Sequence, residues 1–127
     1  MKARTLTGKE IQIENRPSQY PMRNEDGCKS ALQYTTGQQV KLKYPFDPIL
    51  EDVYIPECGF YFDFWLPKRK IAVEIQGEQH NKFVKFFHKN EAGFREHQER
   101  DQRKKDFCRL NSIKLIEIFT EDDWTLL

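Results

Sequence analysis

The sequence predicts a single α/β domain in the order helix, strand, strand, strand, helix, strand, with a central mixed sheet flanked by helices. Three observations point there. Short β-branched and aromatic runs at 49–55, 60–66, 71–76 and 113–119 are bounded by turn residues, the signature of strands. A charged, proline-free stretch from Glu91 to Leu110 has the length of a helix. With 127 residues, 38% of them hydrophobic, and ten Phe gathered mostly in the second half, the chain suits one buried core and not two independent ones.

Taken in order, residues 1–28 are polar, carry Pro17, Pro21 and Gly27 and show little periodicity, so they read as an N-terminal arm, a linker or a peripheral element. The main domain is expected over residues 29–127. Ser30 followed by Gln33 matches a capping box and starts a helix over about 30–43. Thr35-Thr36-Gly37 weakens that helix and Pro45 stops it. "ILEDVYI" at 49–55 is a strand entering a hairpin through Pro56-Glu57-Cys58-Gly59. Two further strands flank Pro67-Lys68-Arg69-Lys70, the long helix ends near Asn111, and "IKLIEIF" at 113–119 forms the last strand.

Net charge is only +1, so composition by itself announces no nucleic-acid partner. Its distribution says more. Residues 68–109 hold twelve Lys or Arg against seven acids, enough for one basic face unless the helix is merely solvated. Cys28, Cys58 and Cys108 are odd in number and form no CxxC pair, which fits a reducing compartment and signals neither a disulfide framework nor a zinc ribbon. No apolar run approaches the roughly 18 residues needed to span a bilayer, so no membrane partner is expected.

The strands "FYFDFWL" and "IAVEIQ" each carry an acid in an apolar run. With Pro67–Lys70 as the loop, Leu66 lies opposite Ile71, and Glu74 falls opposite Asp63. Alternation then puts Phe62, Phe64, Leu66, Ile71, Val73 and Ile75 on a core face, with Tyr61, Asp63, Trp65, Ala72, Glu74 and Gln76 on the other. Like charges directly opposite cost about 0.2–1 kcal/mol, so a cation is expected between them. Mg²⁺, which takes one or two carboxylates and leaves its other positions to water and phosphate, is one solution. A surface network with Lys68 or Arg69, or with a more distant Arg, is the other.

Gly77 ends the third strand, and His80 follows where the chain leaves the sheet; an imidazole there suits a general base. On the long helix Phe94, Asp101 and Cys108 share one stripe, so Asp101 faces the sheet and needs a partner. Arg100, Arg103 and Lys104 fall on another face with a spacing suited to phosphates. Phe83, Phe86 and Phe87 read as packing residues.

Asp63, ten residues, then Glu74-Ile75-Gln76 on adjacent strands resembles the PD-(D/E)XK nuclease core, a restriction-endonuclease-like fold. Gln76 stands where that superfamily more often has lysine. "FDFWLPKRKIAVEIQGEQH", the basic helix with "RDQRKKDFC" and then "NSIKLIEI" resemble the very-short-patch-repair endonuclease branch, and most of all the catalytic domain of the EDxHD phage homing endonucleases. The likeness spans about residues 30–120. It implies Mg²⁺ (Mn²⁺ as substitute) held by Asp63, Glu74 and the Ile75 carbonyl, with Gln76 positioning water or phosphate and His80 as base or phosphate contact. Asp101 would orient His80 or a basic neighbour. The early acid would be Glu51 or Asp52, and Gln33 stands where many members carry a helix glutamate.

The function implied is a metal-dependent endonuclease on double-stranded DNA, of homing type, in the cytoplasm of a bacterial or phage-infected cell. Lys82, Lys85, Arg100, Arg103 and Lys104 would hold the DNA backbone, aided by dimerisation or an additional recognition domain. Alternatives are a repair or junction-resolving nuclease and an inactive DNA-binding module.

Overall fold

The computed structural model describes residues 1–77 and 91–127. Two short strands, β1 (Lys2–Arg4) and β2 (Glu10–Gln12), precede helix α1 (Ala31–Lys43). Strands β3 (Leu50–Ile55), β4 (Phe60–Leu66) and β5 (Ile71–Ile75), helix α2 (Glu91–Leu110) and strand β6 (Lys114–Ile118) follow. β3 to β6 form one mixed sheet in the order β3-β4-β5-β6, antiparallel except for the parallel pair β5 and β6. From α1 onward this is the predicted order of elements. Ser30 caps α1 as its sequence requires, its side chain accepting from the Gln33 N–H.

The register across the Pro67–Lys70 turn is also the predicted one, with Leu66 opposite Ile71 and Phe64 opposite Val73. Pairing stops there. Beyond Phe64 and Val73 the strands part, and the Ile75 N–H donates to the Asp63 carboxylate at 2.8 Å in place of a backbone carbonyl.

The sheet is covered on both faces, which corrects the expectation of one core face and one outer face. Val40, Phe64, Leu66, Ile71, Val73, Ile116 and Ile118 form one cluster, which includes α1. Phe60, Phe62, Trp65 and Ala72 join Phe107 and Cys108 of α2 in the other. Phe62 and Phe64 therefore lie on opposite faces, and strict alternation fails at Asp63. The neighbouring strand breaks at the same level, where Asp52 adopts a left-handed φ of 53° that Asp tolerates better than most residues. Leu50, Val53 and Ile55 thus all reach the α2 side.

Residues 1–28 are not a detached arm. Ala3 and Ile11 pair across the first hairpin and, with Ile13, are buried in the α2-side core. Asn111, just past α2, clamps this hairpin by accepting from the Arg4 N–H and donating to the Arg4 carbonyl. Apolar side chains at alternating positions, spaced too widely to read as a strand, supply the reason for its packing.

Candidate functional site

A cavity of about 520 Å³ opens where β4 and β5 part, between the start of α1 and the middle of α2. Its lining includes Asp63, Glu74, Ile75 and Gln76 from the sheet, and His97, Arg100, Asp101 and Lys104 from α2. Lys29, Ser30 and Gln33 close the α1 side. The strand fork is the reason the acids meet: each sits one residue beyond the last paired step, Phe64 and Val73, and lines the gap the ladder leaves.

Both acids are at least 90% buried. The Glu74 carboxyl is held well above the usual carboxylate range, first by burial and then by the charge of Asp63, with Lys104 opposing both. Lys104 Nζ lies 2.9 Å from Glu74 Oε2. Glu74 Oε1 is buried and has no hydrogen-bond partner among the described residues. On the other side Lys29 Nζ is 2.9 Å from Asp52 Oδ1 and 3.7 Å from Asp63 Oδ1. Burial opposes its charge, but Asp52, Asp63 and Glu74 together raise its pKa.

Glu51 and Asp52 form a separate network behind the cavity wall. Glu51 Oε1 accepts from the Arg23 N–H, and Oε2 accepts from the Gln33 amide and the Cys28 thiol. Asp52 Oδ1 accepts from Gln33 and Lys29, while Arg23 reaches Oδ2 at 3.1 Å as an ion pair outside hydrogen-bond alignment. Gln33 faces two carboxylates with a neutral donor, where a glutamate would add a third negative charge. The hydrogen bond to Glu51 helps push the Cys28 thiol, already raised by burial, to about 11.

The structure thus brings Asp63, Glu74, Ile75, Gln76, Arg100, Asp101 and Lys104 to one cavity. Neither Glu51 nor Asp52 is on its lining; Asp52 is tied to Asp63 through Lys29. Lys104 is corrected from an outer, phosphate-facing position to the buried sheet side of α2, three residues on from Asp101, where its ammonium meets Glu74. Arg103 lines a different cavity with Phe60 and Phe107. Arg69, a candidate partner for the acids, pairs with Asp47 instead. His80, Lys82 and Lys85, with Phe83, Phe86 and Phe87, lie outside the described residues. Among the cavity residues that escaped the sequence reading are His97, Lys29 and Tyr54. The spacing of His97, Asp101 and Lys104, four and then three, marked one helix stripe, whereas Lys29 gave no sequence signal.

A divalent cation fits this donor set. Two carboxylates converge, one oxygen is buried without a partner among the described residues, and the mutual charge of the pair is incompletely offset by Lys104. Among the described residues no group of three or more His, Cys, Asp or Glu forms a metal cluster, so the donors suit an ion that draws on one or two carboxylates.

Comparison with known proteins found relatives in iridoviruses. The uncharacterized protein 094L of Frog virus 3 (isolate Goorha) is 31% identical over 121 residues, covering 91% of this chain and 74% of that protein. The uncharacterized protein 307L of Invertebrate iridescent virus 6 is 46% identical over 56 residues, 44% of this chain and 28% of that protein. Protein 033L of Invertebrate iridescent virus 3, also uncharacterized, is 38% identical over 56 residues, 44% of this chain and 29% of its own length. The match therefore spans under a third of either invertebrate-virus protein. No family model matches the chain, and no solved structure matches it significantly. These relatives are viral but not from phages, which corrects the expected setting. Among the described residues no helix is long and apolar enough to cross a membrane.

Proposed function

The chain belongs to one family with the uncharacterized protein 094L of Frog virus 3, and we propose that it is a divalent-metal-dependent endonuclease hydrolysing phosphodiester bonds in double-stranded DNA. The observation that carries the reading is the pair Asp63 and Glu74, buried at the fork of β4 and β5 in a cavity that also presents Lys29, Arg100 and Lys104. Acids converging beside cations have little structural purpose, since a buried charge pair rarely gains stability over an apolar one.

Asp63, Glu74 and the Ile75 backbone would hold Mg²⁺ or Mn²⁺, which supplies a polarised phosphoryl oxygen and a bound water of lowered pKa. The remaining work falls to the chain. Lys104, held at Glu74, puts a positive charge on the floor of the cavity, where charge develops on a phosphate under attack. It takes the place of the lysine that Gln76 does not provide. Arg100 and Lys29 lie on the cavity wall with room for the flanking phosphates. His97, one helical turn before Asp101, offers an imidazole to take the proton of the attacking water.

Supercoiled plasmid incubated with and without Mg²⁺ tests the proposal. Wild type should nick or linearise it only with the metal, and Asp63→Ala should not. Lys104→Gln should slow cleavage about 100-fold, the scale of losing one charge-stabilising group. Equal cleavage by wild type and Asp63→Ala would contradict the site.

A further inference from the structure

Tyr54 on β3 and Tyr61 on β4 form a cross-strand pair with ring centroids 4.7 Å apart. Each is 40% or more exposed, unlike the other aromatic residues of the two strands, which are buried. Such a pair stabilises a hairpin wherever it occurs. This one also lines the cavity that holds Asp63 and Glu74. Lys29 joins the two features, its ammonium 5.0 Å over the Tyr61 ring and 3.7 Å from Asp63. Tyr61 precedes Asp63 by two residues, about 7 Å along a strand, a distance that one nucleotide spans between its phosphate and its base.

We infer that Tyr54 and Tyr61 are a stacking platform for an unpaired nucleobase next to the phosphate in the cavity, so that the preferred DNA carries an unpaired nucleotide at the cut. This rests on the nuclease reading and adds the substrate class. A base within a duplex is stacked on both faces by its neighbours and has none to offer a tyrosine. An unpaired base has both, and stacking on aromatic side chains is indifferent to sequence. The occupant is a nucleic acid because the ring pair sits beside Lys29, Arg100 and Lys104, cations that complement the phosphates on either side of the base.

The test is binding without divalent metal, using one duplex with a single unpaired, fluorescent aminopurine nucleotide and the same duplex fully paired. Wild type should bind the first at least about tenfold more tightly and quench its fluorescence. Tyr54→Leu/Tyr61→Leu should lose both the preference and the quenching, and Tyr54→Phe/Tyr61→Phe should keep them. Equal binding of the two duplexes by wild type would overturn the inference, as would a Leu variant that keeps both effects. The assay involves no hydrolysis, so its failure is separable from failure of the plasmid test. Metal-dependent plasmid cleavage without the preference sinks the platform alone, and the preference with no Mg²⁺-dependent cleavage of either the plasmid or the duplex with the unpaired nucleotide keeps the platform and sinks the nuclease.

Discussion

Two buried glutamates on neighbouring strands of the same sheet have opposite standing. Glu51 satisfies three donors, the Arg23 N–H, the Gln33 amide and the Cys28 thiol, and its job is to fasten β3 to the start of α1. Glu74 keeps an oxygen with no hydrogen-bond partner among the described residues and a carboxyl held high by burial and by Asp63. Glu51→Ala, which strands those donors in the interior, should cost about 3 kcal/mol in urea unfolding. Glu74→Gln should do the reverse. A carboxyl whose folded pKa lies above its unfolded one binds its proton more tightly in the folded state. Wild-type stability therefore declines as pH climbs from about 4.5 through the raised value, and a neutral Gln escapes that decline. The thermal midpoints of the two proteins should coincide in acid and diverge towards neutral pH, with the variant several degrees higher, the scale on which about 1 kcal/mol reads in a domain of this size. Mg²⁺ should raise the wild type and leave the variant unmoved. Sequence spacing located both acids of the pair. It did not foresee the left-handed turn at Asp52, a backbone event with no residue signature beyond an Asp that tolerates it.

At the scale of elements, the order of helices and strands and the hairpin register were legible because turn residues and periodicity are local. The faces were not. Alternation placed Phe62 with Phe64, and the fork at Asp63 separates them. The Thr35-Thr36-Gly37 run, which weakens α1 on propensity grounds, has a tertiary reason. A Cβ on Gly37 would stand 2.8 Å from Phe64 Cζ and 3.0 Å from Cε1, and Thr36, fully buried, accepts a hydrogen bond from Trp124 Nε1. Small residues let α1 lie close to the sheet. Gly37→Ala gains about 1 kcal/mol of helix propensity but overpacks a rigid ring, so chemical denaturation should show a net loss of about 1 kcal/mol. A stabilised variant would mean that α1 rides higher on the sheet than described. On α2, His97 shares a stripe with Asp101 and Lys104. If it takes the proton of the attacking water, His97→Gln should slow metal-dependent cleavage about 100-fold while DNA binding is retained; unchanged cleavage would reassign that step.

Over the described residues, two cores lie on either side of one sheet that forks between β4 and β5, and the acids, Lys104 and the exposed tyrosine pair all open onto the cavity there. The first hairpin closes the α2-side core, and the Trp124 segment closes the other; Tyr44 donates from α1 to the Leu127 carbonyl to pin that end. Neither closure was visible in the sequence, because each joins residues about 80 to 110 positions apart. The overall charge of +1 says nothing of the cavity, where Lys29, Arg100 and Lys104 stand among Asp63, Glu74 and Asp101. Binding to DNA should accordingly weaken with salt, with a slope set by the few phosphates near Lys29, Arg100 and Lys104 and not by net charge. The proposed function depends on the acid pair taking a divalent cation. The most direct measurement is a titration of Mn²⁺ followed by its electron paramagnetic resonance, in wild type and in Asp63→Asn. Wild type should bind Mn²⁺ and release it to excess Mg²⁺, and the variant should bind markedly less; equal binding by both proteins would contradict the assignment of Asp63 and Glu74 as the metal site.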